Sequence, residues 1–258
     1  MVELTDGITK ISLSGDIRAE SLVIGGARIN NLLSPLPSLE GARLAGGSIG
    51  ERALTLEGYI CADLEENRRM LCKLCTLGRP FYLLDGEYRL ELVLSSGVRF
   101  ASERRFKDKL LRFTIEAIAP SPYWEAAESQ RHLFYSLGAT SNDDNALRIT
   151  NIGDMPCGFR LTVLMATSAN FLVIRKSDKR ITLNLPLNLL DTVIIDTRSG
   201  KKSVTVIPDG QSEGVSAIEY VMPSSEFFGL DAGDNRIDFV VSEGVAHMTL
   251  EYTPRYLR

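Results

Sequence analysis

Cysteine is scarce in this chain, with four in 258 residues at Cys61, Cys72, Cys75 and Cys157. That is too few to staple a chain of this length into a disulfide framework. Histidine is scarcer still, only His132 and His247, and tryptophan occurs once, at Trp124. Neither sign of charge dominates: 29 Lys plus Arg stand against 33 Asp plus Glu, a net of -4. Up to Gln130 there are 16 basic and 18 acidic residues, and from Arg131 onward 13 and 15. With no basic block the chain lacks the clustered positive face that nucleic-acid binders use against phosphates. No stretch approaches 18 consecutive apolar residues, and Met1–Gly7 has neither a basic nor an apolar leader segment, so no membrane span is predicted. The expectation is a soluble protein made in a cytoplasm. Glycine, proline and charge near their globular averages exclude collagen, coiled coil and disorder.

What is present is a period of two. Ala53–Tyr59, Tyr88–Leu94 and Leu111–Ile118 alternate apolar and polar residues, as half-buried strands require. Asp85-Gly86 and Ser95-Ser96-Gly97 predict hairpins, the first joining Phe81–Leu84 to Tyr88–Leu94, the second joining that strand to Val98–Phe100. One helix is predicted from about Asp63 to Leu77, with Asp63 as N-cap, Glu66 at the capping-box position and Gly78 at the end. The second half predicts eight strands: 146–152, 159–165, 170–175, 180–185, 192–196, 202–207, 236–241 and 247–252. Turns every 8–12 residues make this a β-sandwich or jelly roll. Pro120 and Pro122 stop the last strand of the first half, and the division is placed near Gln130. The expected fold is therefore mainly β: two sandwich domains, 1–130 with a single helix and 131–258 without one.

Motifs that could carry chemistry fail on context. Gly46-Gly47-Ser48-Ile49-Gly50 fits the G-x-S-x-G elbow of hydrolases, but a strand follows it where a helix is needed. The same glycines make a weak dinucleotide fingerprint that lacks the same helix, so a Gly-rich loop between strands is the expectation. Cys72 and Cys75 form a C-x-x-C within the predicted helix, where a redox pair would open one; no second pair completes a zinc site. Both thiols are expected on a buried helix face with Leu71 and Leu74. Asp143-Asp144 and Asp231…Asp234 read as turn residues. Trp124 is expected to cap the end of the first core. No catalytic residue, cofactor or metal site is predicted. The remaining oddity is Ile24–Leu39, apolar yet irregular, with Pro35 and Pro37 forbidding a central strand. Such a loop either packs on its own core or covers a neighbouring subunit.

Four segments in order resemble the distal tail proteins of siphophages. They are Arg52–Ile60 leading into the helix with Asn67; Phe113 and Ala119-Pro120-Ser121-Pro122-Tyr123-Trp124; Thr192–Thr197 with Lys202-Ser203-Val204; and Phe227–Ile237. Ser121 departs from the acidic residue often found there. The resemblance implies a non-enzymatic virion protein of the tail tip. Its N-terminal domains would form a hexameric ring, with C-terminal galectin-like sandwiches projecting outward. Its partners would be other copies of itself, the tail tube protein, the tape-measure protein, a tail-associated fibre or lysin, and a receptor-binding protein, but no nucleic acid or membrane. Leu32, Leu33 and Leu36 on the apolar loop, and Arg68 and Arg69 on the helix, are the candidate ring contacts. The alternative reading is a carbohydrate-binding module acting through the C-terminal sandwich.

Overall fold

The computed structural model describes residues 2–35, 40, 42–102, 109–137, 146–242 and 245–258. The chain divides into two compact units, one reaching Ala127 and including Arg258, the other running from Glu128 to Leu257.

The first unit contains β1 (Val2–Thr5), β2 (Lys10–Ser12), β3 (Ile17–Ile24), β4 (Ile29–Pro35), β5 (Ala42–Ile49), β6 (Arg52–Ile60), α1 (Leu64–Leu74), β7 (Phe81–Asp85), β8 (Tyr88–Leu94), β9 (Arg99–Ser102), β10 (Leu111–Ala119) and β11 (Trp124–Ala126). The strand order is β2-β1-β7-β8-β10-β6-β3. Alternation decides the core: Leu54, Leu56 and Ile60 of β6 and Phe113, Ile115 and Ala117 of β10 are buried, as are Phe81, Leu83, Leu90 and Leu92 of the β7–β8 hairpin. That hairpin turns at Gly86, whose positive φ of 64° suits glycine. The second predicted hairpin does not form. Arg99–Ser102 pairs with Leu111–Thr114 of β10, and Val93 and Leu94 of β8 pair with Ile118 and Ala117 of the same strand. Ser95–Gly97 is thus a break along one edge of β10 and reverses nothing.

Helix α1 is shorter than predicted, ending at Leu74, and its start differs too. Asp63 has left-handed dihedrals (φ 43°, ψ 52°) and makes no side-chain cap. The helix entry is held by Asn67, which is buried and donates its Nδ2 to Ala62 O at 2.8 Å and its backbone N–H to Asp63 O at 2.9 Å. Leu71, Leu74 and Cys75 are buried, but Cys72 is exposed. One step beyond Leu71 turns a side chain about 100° off the buried stripe, so the expected shared face fails at Cys72. Trp124 is buried, as expected, and the Arg258 guanidinium lies over its ring.

The second unit contains β12 (Gln130–Leu137), β13 (Ala146–Asn151), β14 (Phe159–Met165), β15 (Leu172–Lys176), β16 (Lys179–Leu183), β17 (Thr192–Asp196), β18 (Ser203–Ile207), β19 (Val215–Ser216), β20 (Gly233–Val241) and β21 (Val245–Tyr252). They form a six-stranded sheet, β12-β21-β14-β17-β18-β19, and a four-stranded sheet, β13-β20-β15-β16. Inward residues of both, among them Phe159, Leu161, Val163, Leu172, Ile174 and Phe239, make one hydrophobic core. Two sheets sharing one core is the sandwich that the alternation predicts. Tyr252 on one sheet donates its hydroxyl to Thr150 O on the other at 3.0 Å. The chain is mainly β in both units, with a single α-helix among the described residues.

Candidate assembly surface

The stretch expected as an irregular loop is a β-hairpin. Among the described residues, strands β4 and β5 pair only with each other, in a two-stranded sheet separate from the main one. Pro35 is compatible because it closes the pairing at the end of an edge strand. The glycine run is likewise strand: Gly46–Ile49 belong to β5, and only Gly50 lies in the junction to β6. The hairpin prolongs the ladder between β3 and β6, which pair up to Ile24 and Leu54. Gly25 N donates to Ala53 O, Arg28 N to Glu51 O and Gly50 N to Arg28 O, so backbone hydrogen bonds fix the base. Its own backbone N–H and the Arg28 side chain hold the Glu51 carboxyl below the usual carboxylate range.

Register sorts the side chains by face. Ile29 lies opposite Ile49, Asn31 opposite Gly47, and Leu33 opposite Leu44, with a bulge between Leu32 and Leu33. One face therefore gathers Ile29, Leu33, Leu44 and Ile49; Leu32 lies on the other with Asn30 and Ser34. Ile29 is 68% exposed, Leu32 66%, Leu33 59% and Leu44 62%. An isolated two-stranded hairpin is marginal in water. Covering each of these side chains would contribute roughly 1–2 kcal/mol at the usual area coefficient, given that part of each is already shielded. Chemically the arm offers apolar surface and free strand edges, both suited to another protein.

Of the predicted contacts, Leu32 and Leu33 lie adjacent on this arm, and Leu36 is outside the described residues. Arg68 and Arg69 are elsewhere, on α1. Arg69 Nε donates to Glu65 Oε1 at 3.2 Å, while Arg68 pairs with Glu65 at 3.6 Å and sits over the Phe100 ring. Both arginines thus share a single carboxylate on the helix. Sequence reasoning missed Leu44 and Ile49, hidden in a glycine-rich segment. The signal available was the alternation of Ile29, Asn31 and Leu33; on the second strand the bulge breaks the period between Leu44 and Gly47, which hides the match.

Ser48 lies opposite Asn30 on the exposed arm. His132 stacks on Tyr252 and His247 packs edge-on against Tyr135, both within the second unit. Asp231 pairs with Lys176 at 2.8 Å, and Asp234 accepts from the Thr150 hydroxyl at 2.6 Å. Asp143 and Asp144 lie outside the described residues. Among the described residues no cluster of three or more His, Cys, Asp or Glu could hold a metal, and no helix is long and apolar enough to cross a membrane.

Comparison with known proteins agrees with this architecture. Residues 152–256 match the family of siphovirus-type tail components, over its C-terminal domain. No curated protein sequence matches the chain. Among solved structures, the Dit protein (gp 19.1) of phage SPP1, described as a paradigm of the hub adsorption apparatus in phages infecting Gram-positive hosts, aligns over 100% of both chains with a TM-score of 0.73 at 11% identity. A chain of the phage P2 baseplate in its activated conformation with Ca aligns over 98% of this chain and 97% of that one, with a TM-score of 0.57 at 9% identity. The second unit thus matches the C-terminal-domain model of siphovirus-type tail components, and the whole chain shares its fold with the Dit protein of phage SPP1.

Proposed function

We propose that the protein is a structural, non-enzymatic component of a phage tail tip. Its copies associate through the first unit into a hexameric ring, which joins the tail tube above to a tail-associated fibre or lysin below. The second unit faces outward and organises receptor-binding proteins, and the tape-measure protein is a neighbour within the tube. The observation that carries this reading is the β4–β5 arm, a hairpin too small to stand alone, with large apolar side chains left uncovered in a chain whose fold matches a phage hub protein. A ring needs two different complementary patches per subunit, because head-to-tail contacts close only when each copy offers both. The arm supplies one of them.

Light scattering and negative-stain microscopy of the purified protein, alone and with tail partners, test the reading. Rings of six copies are expected. A monomer at every concentration, with no rings even beside its partners, would overturn it.

A further inference from the structure

A separate feature of the second unit points to a ligand. On the β15–β16 hairpin, Leu172, Ile174, Ile181 and Leu183 are buried in the core, which turns Arg175, Arg180 and Thr182 outward. Register sets Arg175 directly opposite Arg180. Like charges facing each other across antiparallel strands are destabilising unless something negative lies between them. The next position in the row is Asp238, whose carboxylate accepts from Arg236 Nε at 3.0 Å. Among the described residues neither arginine forms an ion pair, and Arg180 reaches only the Ser224 hydroxyl, at 3.4 Å.

The two guanidinium groups line a groove of about 360 Å³. Val173, Phe171 and Met222 give it apolar lining and Asn184 a polar group; among the described residues no carboxylate lines it. The groove is fixed in shape. Met222 N donates to Thr182 O, Asn184 N to Tyr220 O and Glu226 N to Arg180 O, so the 220–226 segment is bonded along the edge of β16. The Ser225 hydroxyl adds a bond from Thr182 N at 3.0 Å.

We propose that this groove binds an oxyanion, phosphate or carboxylate, carried on a single hydroxyl-rich unit such as a sugar or polyol. Paired guanidiniums match the oxygens of either anion, and their planar forks make two-pronged contacts that a lysine cannot. Asn184, Thr182 and Ser224 supply donors and acceptors for hydroxyls, and Phe171 and Met222 meet the C–H faces between them. The volume is at the small end for ligand sites, enough for one unit. An acidic peptide fits less well, because the strand edge it would pair with is already occupied by residues 220–226. This proposal gives the carbohydrate reading of the second unit a specific chemistry, and it does not depend on ring assembly.

The test is titration of the full chain at low ionic strength, by calorimetry and NMR, with glucose 6-phosphate, glycerol 3-phosphate and glucuronate. Glucose, glycerol, inorganic phosphate and a glutamate-rich peptide are the comparisons. Binding of the phosphorylated or the carboxylated compounds is expected, with the neutral compounds at least tenfold weaker; which anion binds more tightly identifies the source. Arg175→Ala and Arg180→Ala should each weaken binding about tenfold, while Lys201→Ala changes nothing. Arg175→Gln, which keeps part of the aliphatic stem and removes the charge, repeats the test should the alanine variant fold poorly. Absence of binding, equal binding of inorganic phosphate, tighter binding of the peptide, or indifference to both arginines would overturn the proposal.

Discussion

Phe113 lies directly across from Gly58 on the neighbouring strand, and its ring fills the space a side chain at Gly58 would take. A Cβ there would stand 2.7 Å from Phe113 Cζ and 2.1 Å from Arg18 O. Because β6 is sandwiched between β3 and β10, neither neighbour can step aside without breaking ladder pairing. Gly58→Ala should therefore destabilise the protein by about 1–3 kcal/mol, the usual consequence of overpacking a filled core. Gly15→Ala, where no atom lies within 4 Å of the added Cβ, should be nearly neutral. Urea denaturation of the two variants checks the contrast, and equal midpoints would contradict it.

The apolar arm predicts a different split. Leu33 and Leu44 face each other in solvent, so Leu33→Glu and Leu44→Lys should leave folding stability within about 0.5 kcal/mol of the parent. The same changes should abolish self-association if the arm is a subunit contact, since an unpaired charge then enters an apolar interface. Circular dichroism melting and light scattering read the two effects independently. Loss of fold, or assembly unchanged by both charges, would remove the arm from the interface.

Legibility in the sequence followed the range of the interaction that decides each element. The β7–β8 hairpin was readable because Asp85-Gly86 and the flanking alternation are local. The false hairpin at Ser95–Gly97 has equally good local chemistry, but pairing of Phe100 with Phe113 and of Leu94 with Ala117 competes with it across the sequence and wins. Strand β12 escaped notice because Arg131, Leu133 and Tyr135 reach into solvent, and only pairing with β21 makes Gln130–Leu137 a strand. The apolar content of the arm is legible, with packing on its own core and covering a neighbour both left open, but its strand character is masked by Pro35 and by the glycines at 46 and 47. The Arg175–Arg180 juxtaposition depends on register and was invisible before the strands were paired.

The C-x-x-C pair should behave as two unrelated thiols. Burial, with a smaller contribution from Cys72, pushes the Cys75 thiol up to about 12, so no thiolate is available there near neutrality. Cys72 is exposed. Alkylation of the native protein at pH 8, followed by peptide mapping, should modify Cys72 and leave Cys75 untouched until denaturant is added. The buried Cys157 should be protected in the same way. Rapid modification of Cys75, or a Cys72–Cys75 disulfide forming readily in mild oxidant, would contradict this.

Asp196 gives the acid response a defined sign. Burial by itself raises its carboxyl pKa, but the Arg198 side chain donates Nε to both oxygens at 2.9 and 3.1 Å and the Arg198 backbone N–H adds a bond at 3.0 Å. Those bonds and the guanidinium charge outweigh burial and hold the group below the usual carboxylate value. A carboxyl with a lowered folded-state pKa stabilises the fold fully above its unfolded value, near about 4, and loses that contribution as pH falls through the folded one. The stability difference between the parent and Asp196→Asn should therefore be largest near neutrality and shrink below about pH 4. Arg198→Ala should raise the carboxyl pKa from its lowered value, while the backbone N–H of residue 198 and the charge of Arg160 still oppose burial. Urea midpoints across pH and carboxyl titration by NMR measure the two effects. A parent–variant difference that stays constant from neutral to acid pH would show that Asp196 contributes through packing and not through its charge.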